Sequence, residues 1–157
     1  YNLSVSGESK EIEFKSTLRK SLDDPNIPDL VIEESVLKSI CGFINSDGGH
    51  LFIGINDQKE FLGLDNDGFK DDDAFLLHLK NIMKDRIVPD VFTETSGGEI
   101  ILKNGKRFFY IECFKQKSFK PYYVKRKKEE KFFVRRGPST DQLSPSEAGK
   151  YILGKKE

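Results

Sequence analysis

The chain has little of what several common chemistries require. Its 157 residues include no tryptophan, one methionine, two histidines and two cysteines. Cys41 and Cys113 each sit in an apolar run without the paired spacing of a zinc site or disulfide framework. The expected setting is therefore a reducing cytoplasm. His50 falls at the start of a predicted strand and His78 inside a predicted helix, so neither reads as a general base. Without a serine nucleophile elbow or a His-rich ligand set, triad and zinc hydrolysis have no support. No apolar run approaches the roughly 18 residues of a membrane span, and the N-terminus lacks the basic-then-apolar layout of a signal peptide. The first residue is Tyr1 rather than methionine, which fits either one complete domain over residues 1–157 or a piece of something longer.

What is present is bulk and charge. Hydrophobic residues make up 36% and charged residues 33%, with 13 Phe, enough to close one core beneath a very polar surface. The net charge of zero conceals an asymmetry: residues 101–136 hold 13 Lys or Arg against Glu112, Glu129 and Glu130, a local balance of +10. Such a segment suits a polyanion-facing surface, and a hairpin with solvated lysines would read the same way.

Along the chain, Glu11 to Lys15 alternates polar and apolar residues and predicts a strand. A loop with Pro25 and Pro28 leads into a helix whose apolar stripe is Val36, Ile40, Phe43 and Ile44. Asn45-Ser46-Asp47-Gly48-Gly49 stops it, with Asn45 read as a cap and the glycines as a tight turn. His50 to Ile55 predicts a buried strand, and Asp71 to Ile87 a second helix ended by Pro89. Val91 to Glu94, Glu99 to Leu102, Arg107 to Phe114, Tyr122 to Val124 and Lys131 to Arg135 read as strands, with Gly97-Gly98 and Asn104-Gly105 as hairpin signals. Ser144-Pro145-Ser146-Glu147 supplies a capping box for a last helix. The order predicts an α+β fold with a mixed or antiparallel sheet and about three helices.

The sequence resembles the Schlafen AlbA_2 family. The match runs through Glu8-Ser9-Lys10-Glu11-Ile12-Glu13-Phe14-Lys15, Phe43 to Gly49, Leu51 to Asp57, Gly63, Phe132-Phe133 and Arg135 to Thr140, fragments that follow one another in family order. The family includes nucleases acting on transfer or ribosomal RNA and bacterial members described as DNA- or ATP-binding regulators. Membership does not fix activity. The resemblance implies a site of three acids at Glu8, Glu13 and Asp57. It also implies a second lobe, since the eukaryotic nucleases pair two where this chain supplies one; a homodimer or a further domain would provide it.

The residue chemistry agrees with that implication. Carboxylates are hard oxygen ligands suited to Mg²⁺ or Mn²⁺, which activate water and stabilise charge on a phosphate in transit. Residues five apart on a straight strand face oppositely, so Glu8 and Glu13 converge only across a bend near Ser9-Lys10. Lys15 lies two residues after Glu13 on the same face and resembles the Glu-x-Lys element of metal-dependent nucleases, although an ordinary ion pair would have the same spacing. No GxxxxGK[ST] pattern is present, and the glycines follow a helix rather than precede one, so P-loop ATP binding is not expected. The basic segment interleaves aromatics with cations: Phe109, Ile111 and Phe133 read as core, and Arg135 and Arg136, before a Gly-Pro turn, as phosphate ligands. Lys125, Arg126, Lys127 and Lys128 read as a charged hairpin tip. The expected function is divalent-metal-dependent cleavage of structured RNA such as tRNA. The rival is a non-catalytic DNA- or RNA-binding module.

Overall fold

The computed structural model describes residues 9–156. Two four-stranded sheets enclose a central helix. The strands are β1 (Ile12–Lys15), β2 (Gly49–Ile53), β3 (Ile87–Val88), β4 (Glu99–Lys103), β5 (Lys106–Cys113), β6 (Tyr123–Arg126), β7 (Glu129–Arg136) and β8 (Ser139–Leu143). The helices are α1 (Asp29–Ile44), α2 (Asp72–Arg86) and α3 (Pro145–Lys156). The first sheet has the order β1-β2-β5-β4 and is mixed, because β1 pairs parallel to β2; the second, β3-β6-β7-β8, is antiparallel. This is the expected α+β architecture.

From Val36 to Ile44, α1 is buried almost all round, with only Lys38 reaching out, because it lies against both sheets at once. Gly42 marks a close approach to β8: an added Cβ there would stand 2.9 Å from Thr140 Cγ2. The main core joins α1, α2, β2, β5, β6 and β7, including Phe43, Leu51, Phe75, Phe109 and Tyr122. A second cluster of Ile12, Phe14, Phe52, Ile55 and Phe108 lies on the opposite face of the first sheet. A third places Phe132, Val134 and Leu143 under α3.

The expected punctuation holds at several points. Asp71 caps α2 by accepting from the Ala74 amide at 2.8 Å, and Ser144 and Glu147 exchange both bonds of the capping box. Asn104 and Gly105 both take positive φ, the left-handed pair that closes a tight hairpin between β4 and β5. Three expectations are corrected. Val91 to Glu94 contains a short 3-10 turn, Phe92–Glu94, rather than a strand, so Gly97-Gly98 joins no hairpin. α1 begins at Asp29, directly after Pro28, four residues before Glu33 where the apolar stripe becomes legible. β8 has no counterpart among the expected strands, because Ser139–Leu143 is polar except for its last residue; pairing with β7 recruits it.

Candidate functional site

β1 is an edge strand, and its alternation sends Ile12 and Phe14 to the outer cluster while Glu13 and Lys15 face the side of α1. The bend required before it exists: Ser9 and Ile12 exchange backbone hydrogen bonds at 3.1 and 3.4 Å, so the strand starts from a turn. Glu8 lies outside the described residues.

Parallel pairing puts the carboxyl ends of β1 and β2 side by side, where open sheets commonly hold ligands. Lys15 ends β1. After β2 the chain turns at Gly54, whose φ of +98° places it in the region that favours glycine. Asn56 then organises the next turn: its Oδ1 accepts from the amides of Gln58 and Glu60 at 3.0 and 2.9 Å, and its Nδ2 donates to Glu60 Oε1 at 2.8 Å. Asp57 is carried, exposed, on that turn. Lys15, Asp57, Ser35 and Thr17 line one cavity of about 420 Å³, with Asp23 on its wall.

Lys15 Nζ donates to Ser35 Oγ of α1 at 2.8 Å. Burial lowers its pKa below the usual lysine value, opposed by the carboxylates of Glu13 and Asp57 and reinforced by Lys38 and Arg135. Lys15 is thus the group on which both acids act. Glu13 itself is 9% exposed, and its Oε1 accepts from Arg135 Nη1 at 2.5 Å.

Arg135 overturns its expected role. It is 4% exposed, because position 135 of β7 faces inward, and both terminal nitrogens of its guanidinium are taken by protein partners. Nη1 donates to Glu13 and, at 3.1 Å, to Thr140 Oγ1; Nη2 donates to the carbonyls of Ser9 and Ile12 at 2.6 and 2.9 Å. The group also lies 4.9 Å from the Phe43 ring centre. Arg135 therefore ties the β1 turn to the second sheet and presents nothing to a phosphate. Arg136, the next residue, has a side chain 57% exposed, 4.0 Å from Asp141.

The hairpin tip is at the surface. Arg126, Lys127 and Lys128 are exposed and Lys125 is half-buried. Arg126 and Lys131 lean toward Glu34 of α1 at 3.9 and 3.1 Å, whereas Lys125, Lys127 and Lys128 form no ion pair among the described residues. The basic segment is thus divided between two sheets and partly neutralised by acids from elsewhere in the chain.

The Asn-Ser-Asp-Gly-Gly stretch has a role that the sequence pattern only half reveals. Asn45, fully buried, donates to the carbonyls of Tyr122 and Phe133 and accepts from the Tyr122 amide, each at 2.9 Å. Ser46 Oγ accepts from the Arg135 amide at 2.9 Å. The pair fastens the end of α1 to the second sheet. Gly48 and Gly49 make the expected turn, and a Cβ at Gly49 would overlap the Phe43 ring. Sequence reasoning missed Asp67. Its buried carboxylate accepts from the amides of Leu18, Arg19 and Lys20 at 2.7, 2.9 and 3.0 Å and fixes the loop that forms one cavity wall. Nothing local marks it, since its partners are nearly fifty residues away.

Among the described residues, no three His, Cys, Asp or Glu side chains come together as a metal-holding group. Burial pushes the thiols of Cys41 and Cys113 up in pKa, and both are free. No described helix is long and apolar enough to cross a membrane.

Two solved structures resemble this fold. The DIP2311 protein from Corynebacterium diphtheriae aligns over 94% of this chain with a TM-score of 0.58 and 16% identity. This chain spans only 24% of that protein's length. The N-terminal domain of a putative ATP-dependent DNA helicase RecG-related protein from Nitrosomonas europaea aligns over 91% of this chain and 88% of its own, with a TM-score of 0.51 and 22% identity. Both likenesses concern the fold. The sequence itself matches the family described as Schlafen, AlbA_2 over residues 8–144, most of its length, and the chain belongs to the Schlafen AlbA_2 family.

Proposed function

We propose that this chain is a nucleic-acid-binding domain that cleaves structured RNA, such as tRNA, at the cavity between Lys15 and Asp57. The observation that carries the reading is the half-buried Lys15, within the electrostatic influence of Glu13 and Asp57 and beside an open cavity, which Asp57 also lines, at the carboxyl ends of two parallel strands. Perturbed titratable groups in a cleft mark functional sites more often than chance. Asp57, Glu13 and Glu8 would hold a divalent cation, Mg²⁺ or Mn²⁺, their oxygens being suited to a hard metal. When bound, such a cation lowers the pKa of water and offsets charge on the phosphate. Lys15 sets a cation beside the scissile phosphate. Lys125, Lys127, Lys128 and Arg136 hold the backbone of the substrate at a distance from this cavity.

A second reading is favoured by two observations: Glu13 already neutralises Arg135, and the described acids form no metal group. In that reading the domain binds DNA or RNA without cutting it, and the RecG-related protein is a parallel for a domain attached to nucleic-acid machinery. Incubation with tRNA and with single-stranded DNA, with and without Mn²⁺, separates the two. Asp57→Asn is the clean variant because Asp57 is exposed; loss of at least ~10²-fold in metal-dependent cleavage, with unchanged thermal stability, is expected. No cleavage by the unmodified chain, or full cleavage by Asp57→Asn, would sink the nuclease reading. A working unit of two lobes, from a second copy or another domain, is part of the proposal. Light scattering of the RNA complex reads the copy number, and a fully active complex with one copy of this domain removes it.

A further inference from the structure

Most aromatics of the basic segment are core: Phe108, Phe109, Phe132 and Phe133 are 0–4% exposed. Phe114 is different, at 38% exposed, just past the end of β5. It lines a cavity of about 620 Å³ together with Thr93, Glu94, Lys117, Phe119 and Lys120. The loop that carries these residues is braced. The Phe114 amide donates to Glu94 O at 2.8 Å, Gln116 Nε2 donates to Ile44 O and Lys120 O at 3.0 Å each, and Gln116 Oε1 accepts from the Lys120 amide at 3.1 Å. Phe119 sets its ring edge-on to Tyr151 of α3 at 6.2 Å. Lys117 and Lys120 are exposed and form no ion pair among the described residues.

We propose that this shelf is a second nucleic-acid site that takes one unpaired nucleotide. The proposal rests on the nucleic-acid reading above but not on cleavage. The base stacks on Phe114, Lys117 and Lys120 meet the flanking phosphates, and the Glu94 carboxylate accepts from an exocyclic amino group. A preformed aromatic face between cations is the usual arrangement for single strands, and the bracing means that little ordering is needed on binding. The shelf and the Asp57 cavity lie at opposite ends of β2: the loop begins where a Cβ on Gly48 would stand 2.8 Å from the Lys115 amide, whereas Asp57 follows the strand's exit. β2 alone separates the two ends by about 13 Å. The shelf would therefore hold an unpaired stretch several nucleotides from the cavity.

The test is equilibrium binding of short single-stranded oligonucleotides, read by anisotropy and by the emission of an internal 2-aminopurine. Phe114→Ala should weaken binding about tenfold and lose the stacking signal while the fold, checked by circular dichroism, is intact. Lys117→Ala with Lys120→Ala should reduce the salt slope by about 1.4. Unmodified protein should prefer oligocytidine to oligouridine, and Glu94→Ala should lose the preference. Binding that survives Phe114→Ala unaltered overturns the shelf alone. Absence of binding to any strand or duplex overturns the shelf and the nucleic-acid reading together. Equal competition by an acidic peptide shows a general anion surface and also rejects the nucleotide site.

Discussion

Arg135 and Arg136 are neighbours on one strand and have opposite fates. The first belongs to a polar seam inside the protein, with Glu13, Asn45 and Ser46; the second belongs to an exposed basic rim, at the β7–β8 turn, with Lys125 to Lys128 at the opposite end of β7. Strand alternation turns them to opposite faces. The difference teaches that the positive charge of this chain has two uses. In the seam a cation joins two sheets and an edge strand, whereas on the rim it is left to solvent and to whatever anion arrives.

The comparison is broken most strongly at the seam. Arg135→Ala leaves Glu13 buried without its partner, which typically costs about 3–5 kcal/mol, or roughly 10 °C in melting temperature at this size. Arg136→Ala should fall within about 0.5 kcal/mol, as exposed substitutions do. Equal melting temperatures for the two variants would show that the seam is not what holds the sheets. Asn45→Ala comes next: it strips partners from one amide and two carbonyls in the interior, a loss of about 3 kcal/mol by chemical denaturation.

Lys15 sharpens the contrast, because it is a seam cation without a dedicated buried counter-ion. Its folded-state pKa is lowered, chiefly by burial, so the folded protein binds fewer protons than the unfolded chain between that lowered value and 10.5. Stability conferred by this group therefore rises with pH across that window, and below it the buried charge is a full penalty. Lys15→Met should be at least as stable as the unmodified protein at neutral pH, lose the rise toward alkaline pH, and be impaired in cleavage. A clear loss of stability at neutral pH would show that Lys15 is structural. The smallest effect is expected at the rim: replacing Lys125, Lys127 and Lys128 with Ala should leave folding unchanged. It should flatten the dependence of log K on log salt by about 0.7 for each single-strand phosphate that the protein no longer neutralises. An unchanged slope would remove the hairpin from the interface.

Family and fold class are legible in the sequence because they rest on local signals. The capping box at Ser144, the Asn104-Gly105 hairpin and the helix stop at Asn45 each declare themselves within a few residues. The candidate site is legible in part: Lys15 and Asp57 share a cavity wall, but nothing in the sequence shows that Glu13 faces Arg135. That pairing links residues 122 apart, and the Glu13 carboxylate would read the same in solvent.

The sequence by itself determined the periodicities, caps and turns, and hence three helices and the main strands, because these depend on interactions within a few residues. Tertiary structure alone decided which cations are spent. Buried arginine is tolerable only where a carboxylate and carbonyls converge on it, and that convergence exists only after β1, α1 and β7 have packed. It also decided that the polar stretch Ser139–Leu143 is a strand, since an edge takes its hydrogen bonds from its neighbour rather than from its own pattern.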